Sequence, residues 1–77
     1  MVTIVTVMGF LNSAWKHGFS RQEIDHALNN PILVHYFDGY VIVIGSTATG
    51  TLLEIGVNNE NNVFHAMPAR KKFLRKK

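Results

Sequence analysis

An Asp-Gly pair between two runs of apolar residues is the feature that most restricts how this chain can fold. Residues 32–37 and 40–44 are rich in β-branched and aromatic side chains, and Asp38-Gly39 are residue types that tolerate the positive φ angles of a two-residue turn. Pro31 prevents a preceding helix from extending into this region. The segment is therefore predicted to form an antiparallel hairpin and not a helix.

Two further strands are expected after the hairpin. A loop of small and polar residues at 45–50 leads to a strand over Thr51–Val57, and a polar turn at 58–62 leads to another over Val63–Met67. We expect these strands to join the sheet as successive antiparallel neighbours. Near the N-terminus, the nearly continuous β-branched run Val2–Val7 predicts a first strand.

A capping box predicts an α-helix before the hairpin. The Ser20 hydroxyl can accept a hydrogen bond from the backbone N–H of Glu23, whose carboxylate can reach back to the N–H of Ser20. Apolar residues follow at helical spacing, so a helix is expected over Arg21–Asn29, packed on one face of the sheet. The packing residues are Ile24, Ala27 and Leu28.

Two shorter helical segments are also expected. Asn12 can cap a turn that runs to His17, and Gly18 supplies the left-handed residue that ends it. After the last strand, Pro68 can open a final helix over Ala69–Lys76, where basic residues interact favourably with the C-terminal dipole.

These elements predict one α+β domain that covers residues 1–77. Its sheet is expected to be mainly antiparallel, with four or five strands, two N-terminal helical segments and a short C-terminal helix. A hydrophobic fraction of 47% with only 17% charged residues excludes a disordered chain. The length leaves no room for a second domain or a large cofactor-binding fold.

The basic residues are concentrated at the C-terminal end. Residues 1–69 carry two basic and five acidic groups, whereas the last eight residues carry six basic groups. This distribution is typical of a protein that meets a polyanion or an acidic partner at one place. A solvated terminus is the alternative. The candidate RNA-binding residues are Lys71, Lys72, Arg75 and Lys76.

Several classes of site are excluded by residue type. There is no cysteine, which removes disulfides, zinc-thiolate sites and cysteine nucleophiles, and there is no glycine-rich phosphate loop. Residues 1–11 are apolar but lack the basic start and cleavage site of a signal peptide, and they fall short of the roughly 20 residues that span a bilayer. We expect a cytoplasmic protein with no metal, no cofactor and no membrane association.

Histidines and carboxylates are the groups left for acid–base chemistry. His65 lies in the middle of the last strand, and its imidazole can transfer protons at neutral pH. Glu54 lies on the neighbouring predicted strand, so a base and an acid could share one part of the sheet. This pairing requires that Glu54, and not Ile55, faces the same side as His65. The alternatives are a structural histidine and a solvent-exposed glutamate.

Cationic residues could complete such a site. Arg70 follows the last strand directly, and its guanidinium could hold a phosphate and offset the charge that develops in a transition state. Lys16 and His17 lie in the capped turn. If His65, Arg70 and this turn lie on one concave face, a bound phosphodiester would contact both a proton acceptor and a cation. Solvation is the alternative role for the cationic residues.

Taken in order, these residues resemble the BrnT family of bacterial type II toxins, which are small ribonucleases with a RelE-like fold. The resemblance covers roughly residues 13–75. The similar segments are Lys16-His17-Gly18-Phe19-Ser20, Asn30-Pro31, Ile44-Gly45, Gly50-Thr51-Leu52-Leu53-Glu54 and His65-Ala66-Met67-Pro68-Ala69-Arg70. Unlike many members of this family, the chain has no arginine in the strand before Ile44-Gly45, and it begins with an apolar run.

The resemblance implies RNA cleavage without a metal, in a protein that forms a complex with a cognate antitoxin. Lys16 and His17 match the basic turn of the family, and Arg70 matches its arginine after the sheet. The candidate catalytic residues are His65, Glu54, Arg70, Lys16 and His17, with His65 or Glu54 as the base. The alternative is a non-catalytic module that binds nucleic acid or an antitoxin, which the missing arginine favours.

Overall fold

The computed structural model describes residues 7–74 and shows a five-stranded sheet with one α-helix. This range also contains two short 3-10 turns. The elements in chain order are β1 (Gly9–Phe10), an N-terminal 3-10 turn (Asn12–Trp15), α1 (Arg21–Asn29), β2 (Pro31–Phe37), β3 (Tyr40–Ser46), β4 (Leu52–Asn58), β5 (Asn62–Pro68) and a C-terminal 3-10 turn (Lys71–Phe73).

The strand order is β1-β5-β4-β3-β2. Strands β2 to β5 form an antiparallel series, whereas β1 pairs in parallel with β5. The α+β class is confirmed, and the sheet is mixed because of β1. Of the strand predicted at Val2–Val7, only Val7 lies within the described residues, and the short strand β1 begins at Gly9.

The predicted hairpin is confirmed. Phe37 and Tyr40 are paired on either side of a two-residue turn. Gly39 has a φ of 88°, whereas Asp38 does not adopt a positive φ. Gly39 therefore adopts the positive-φ conformation of this turn, which other residues would resist.

Helix α1 begins with the predicted capping box. The Ser20 hydroxyl accepts a hydrogen bond of 3.1 Å from the backbone N–H of Glu23, and the Glu23 carboxylate accepts one of 2.9 Å from the N–H of Ser20. The helix packs closely on β3, because a Cβ atom on Gly45 would lie only 1.9 Å from the carbonyl oxygen of Ala27. The buried side chains of the helix are Ile24, Ala27 and Leu28, as predicted.

The other two helical predictions need correction. The N-terminal segment is a 3-10 turn, with Gly18 at a φ of 82° a little beyond it. Within the described residues, the helix predicted over Ala69–Lys76 is only a 3-10 turn that begins at Lys71. The backbone N–H of Ala69 pairs with Leu52, and Arg70 is extended with its N–H donated to a side chain. These bonds continue the sheet and delay the helical turn.

Different elements pack on the two faces of the sheet. On one face, α1 packs against buried apolar residues of β3 and β4, and the N-terminal 3-10 turn contacts β5. On the other face, the chain after β5 crosses back towards β2, where the imidazole Nε2 of His35 donates a hydrogen bond of 2.7 Å to the carbonyl oxygen of Phe73. No helix within residues 7–74 is long and apolar enough to cross a membrane.

Candidate active site

A buried carboxylate lies at the centre of the face that the C-terminal segment crosses. Glu54 pairs with Met67 in the sheet, and Gly56 pairs with His65, so Glu54 and His65 share a face. Ile55 lies in the core on the α1 side. The side chain of Glu54 is 0% exposed, which is rare for an ionisable group and requires partners.

Glu54 has those partners at both oxygens. Oε1 accepts hydrogen bonds from the backbone N–H of Arg70 at 2.8 Å and from its Nε at 3.1 Å. Oε2 accepts from Arg70 Nε at 3.1 Å, from Arg70 Nη2 at 2.7 Å and from His65 Nε2 at 2.9 Å. Burial alone would raise the pKa of Glu54, but these bonds outweigh it and lower the pKa to about 2.

Glu54 is therefore an ionised acceptor whose two oxygens are already hydrogen-bonded. A carboxylate of this kind can orient an imidazole and stabilise its charged form, but it is poorly placed to take a proton from a substrate. Of the two candidate bases, the geometry favours His65. A carboxylate only accepts, so Nε2 of His65 carries the hydrogen, and Nδ1 of the neutral imidazole is the proton acceptor.

A β-bulge in β5 positions His65. The pairing passes from Gly56–His65 to Val57–Val63, which leaves Phe64 as the extra residue. The Phe64 ring lies over Gly56, where a Cβ atom would come within 2.7 Å of the ring. The bulge thereby places Phe64 and His65 side by side on the Glu54 face. Sequence alternation alone did not indicate this bulge, although a glycine within a strand is a known sign of one.

The N-terminal turn brings a second histidine to His65. The Ser13 hydroxyl donates a hydrogen bond of 2.6 Å to the carbonyl oxygen of Phe64, which fixes the turn to β5. The ring of His17 then meets that of His65 edge-on, with 6.3 Å between the ring centroids. Lys16 is exposed, and its side chain makes no hydrogen bond or ion pair within the described part of the chain.

Arg70 links the carboxylate to solvent. Its side chain is 47% exposed, and the hydrogen bonds to Glu54 raise the pKa of the guanidinium. Nε and Nη2 bind Glu54, whereas Nη1 has no hydrogen-bond partner within residues 7–74. One edge of the guanidinium is thus fixed and the other edge can still bind an anion.

The structure therefore brings together four of the five candidate catalytic residues: His17, Glu54, His65 and Arg70. Lys72 lines an open cleft of about 300 Å³ beside His65 and Arg70. Lys71 is exposed and does not line that cleft. Arg75 and Lys76 lie outside the described residues.

The aromatic walls of this cleft are Tyr40, Phe64 and Phe73, which were not predicted from the sequence. Alternation from the hairpin turn could have placed Tyr40 on the Glu54 face, but no local pattern indicates that Phe73 folds back over the sheet. Within residues 7–74, no group of three or more histidine and acidic side chains is arranged to hold a metal ion.

Comparisons with known proteins leave the geometry as the main guide to function. No protein-family model matches the sequence, and no match was found among curated proteins or solved structures. The resemblance to the BrnT family thus stays a prediction.

Proposed function

We propose that this protein is a metal-independent endoribonuclease whose acid–base groups are His65 and His17. The observation that carries the proposal is the hydrogen bond of 2.9 Å from His65 Nε2 to the buried Glu54 carboxylate, which also binds Arg70. This bond fixes the tautomer of His65 and presents Nδ1 as the base. A base held by a buried carboxylate, next to a cation and a second imidazole, is suited to phosphodiester chemistry.

In the proposed reaction, His65 Nδ1 accepts the proton of a ribose 2′-OH while the 2′-oxygen attacks the adjacent phosphorus. The bond from phosphorus to the 5′-oxygen breaks, and His17, as an imidazolium, donates a proton to that oxygen. The products are a 2′,3′-cyclic phosphate and a free 5′-OH. Arg70 binds the non-bridging oxygens, on which negative charge increases in the transition state.

We also propose a biological setting for this activity. The resemblance to BrnT suggests a cytoplasmic toxin whose cognate antitoxin covers the site in a heteromeric complex. The exposed cationic edge of Arg70 and the adjacent Lys72 would meet acidic groups of such an antitoxin.

A second candidate function is a non-catalytic module that binds nucleic acid or an antitoxin. One specific observation favours it. The Nε and Nη2 groups of Arg70 both bind Glu54, so part of the cationic charge is neutralised within the protein. A guanidinium in this state binds a phosphate less strongly than a free one does, although Nη1 is still available.

The test is cleavage of a single-stranded RNA by purified protein in the presence of EDTA. We expect cleavage by the wild-type protein, and a loss of about 10²- to 10⁴-fold in His65→Gln because a general base contributes this much. His26→Gln is the matched control, because His26 is an exposed histidine of α1 whose ring bonds to the carbonyl of Ser46. Its activity should equal that of the wild-type protein.

Purification of all variants by the same procedure guards against a contaminating nuclease. A substrate with a 2′-deoxy residue at the cleaved position tests the mechanism, because the reaction should be blocked without the 2′-oxygen. Intact RNA with folded wild-type protein would contradict the nuclease proposal and favour the binding module. Equal cleavage by wild-type protein and His65→Gln would contradict the role of His65.

A further inference from the structure

The cleft beside His65 is bordered by a connected series of aromatic rings. Tyr40 stacks on Phe37, with 5.0 Å between the ring centroids and an angle of 13° between the planes. Tyr40 also meets Phe64 edge-on at 5.8 Å, and Phe37 meets Phe73 edge-on at 6.2 Å. Each ring supports its neighbours, so these side chains form a preorganised apolar surface next to the candidate base.

Two cations lie over the same aromatic surface. The Nζ atom of Lys72 is 5.0 Å from the centroid of the Phe73 ring, and the Cζ atom of Arg70 is 5.4 Å from it. Both residues line the cleft, and none of its described lining residues is acidic. A ligand that fits must therefore combine a flat apolar part with a negative charge close to it.

We propose that this cleft binds the base of a single-stranded nucleotide whose phosphate lies at His65 and Arg70. The inference rests on the proposed function, because it assigns a base site to the RNA strand that is cleaved. Nucleobases stack on aromatic side chains when they are unpaired, and the adjacent phosphate provides the negative charge. A base inside a duplex cannot enter, so the cleft selects single-stranded RNA.

The size and chemistry of the cleft also limit its selectivity. Its volume of about 300 Å³ lies at the lower end of the range of roughly 300–1,000 Å³ for small-ligand sites, which suits one nucleotide. Besides Arg70 and Lys72, the polar groups of the lining are the Tyr40 hydroxyl and the His65 imidazole. Few groups can form hydrogen bonds with base edges, so stacking contributes most of the binding free energy. We therefore expect the affinities for the four bases to lie within a few-fold of one another.

The experiment measures binding separately from cleavage. A fluorescently labelled 2′-O-methyl RNA hexamer cannot be cleaved by 2′-oxygen attack, and its affinity is compared with that of an abasic strand of equal length and charge. We expect Tyr40→Leu to weaken hexamer binding on the order of tenfold, because the leucine keeps apolar contact but has no π face. Binding of the abasic strand should not change.

Tyr36→Leu is the matched control. Tyr36 belongs to the same hairpin and is 66% exposed, but alternation along β2 places it on the opposite face from Phe37. This variant should bind the hexamer as the wild-type protein does. An equal loss of hexamer and abasic-strand binding in Tyr40→Leu, or equal effects of the two variants, would overturn the proposal.

A measurement on the wild-type protein protects the test against a variant that fails to fold. Base protons of a uridine or adenosine monophosphate should shift upfield in NMR spectra on binding, because they lie over aromatic rings. Shifts confined to the phosphorus signal would overturn base stacking. A synthetic acidic peptide that binds as tightly as the hexamer would also overturn it, since such a peptide tests for a protein partner.

The two proposals can fail independently. If Tyr40-dependent hexamer binding occurs but RNA stays intact, the base site stands and the nuclease proposal fails. If RNA is cleaved and Tyr40→Leu leaves the KM unchanged, the nuclease stands and the base site fails.

Discussion

Replacing Glu54 with glutamine tests the central element of the site. The substitution keeps the size and one acceptor oxygen of the side chain, but it removes the charge and turns an acceptor into an NH₂ donor. In the wild-type protein Oε2 accepts from Arg70 Nη2 at 2.7 Å and from His65 Nε2 at 2.9 Å. Whichever way the amide is oriented, its NH₂ group faces other donors.

The expected cost in unfolding free energy is about 2–4 kcal/mol. Hydrogen bonds to a charged group contribute about 1.5–3 kcal/mol, and breaking a fully buried ion pair costs about 3–5 kcal/mol. A value between these limits applies here, because Arg70 is partly exposed and water can solvate it after the change. For a domain of this size the melting temperature should fall by roughly 8–30 °C.

The destabilisation caused by Glu54→Gln should also depend on pH. The pKa of Glu54 is about 2 in the folded protein against an ordinary value of 4.5, so ionised Glu54 stabilises the folded state. That contribution is fully present above about pH 4.5 and is lost as the pH falls towards 2. The stability difference between the wild-type protein and Glu54→Gln should therefore shrink across this interval, while the titration of the other carboxylates cancels in the comparison.

Urea unfolding followed by circular dichroism, at neutral pH and at several acidic pH values, measures both quantities. Glu60→Gln is the matched control, because Glu60 is an exposed acid in the turn before β5 and should change stability by less than about 0.5 kcal/mol. A cost for Glu54→Gln as small as that of the control, or one that is equally large at neutral pH and at the acid end, would refute the reasoning.

Two other variants test the bulge and the cationic rim. Gly56→Ala should destabilise the protein by about 1–3 kcal/mol in urea unfolding, because its Cβ atom would come within 2.7 Å of the Phe64 ring; a neutral effect would show that the ring moves freely. Lys72→Gln should reduce the slope of log affinity against log salt for single-stranded RNA by about 0.7, whereas Lys71→Gln, outside the cleft, should change it less. Equal slopes for both variants would contradict a phosphate contact in the cleft.

Much of the fold could be predicted because its signals are local. The Asp-Gly turn fixes the hairpin, and the Ser20–Glu23 capping box fixes where α1 begins. The parallel strand β1 carries no such signal, because two residues have no periodicity and pair with a strand about fifty positions away. The C-terminal helix was wrong for a similar reason, since the N–H of Arg70 bonds to a side chain sixteen positions earlier.

Local sequence pattern likewise predicts some features of the site and not others. Residue type and strand alternation were enough to predict Glu54, His65 and Arg70 as candidate site residues. They could not assign roles, because the choice between base and orienting group depends on how many donors surround each carboxylate oxygen. The aromatic cleft depends on two non-local events, the bulge at Phe64 and the return of Phe73 across the sheet.

Glu54 connects the stability of the fold to the chemistry proposed for it. By binding the backbone and side chain of Arg70, it holds the start of the segment that carries Lys72 and Phe73 into the cleft. The order of these groups is thus established during folding, and a phosphate that arrives at the free Nη1 edge of Arg70 meets a cation that needs no further ordering. Preorganised charge of this kind stabilises a transition state more effectively than a mobile side chain does. The partial neutralisation of Arg70 by Glu54 is the opposing effect, and a lower affinity for the ground-state phosphate is compatible with catalysis as long as the transition state carries more charge.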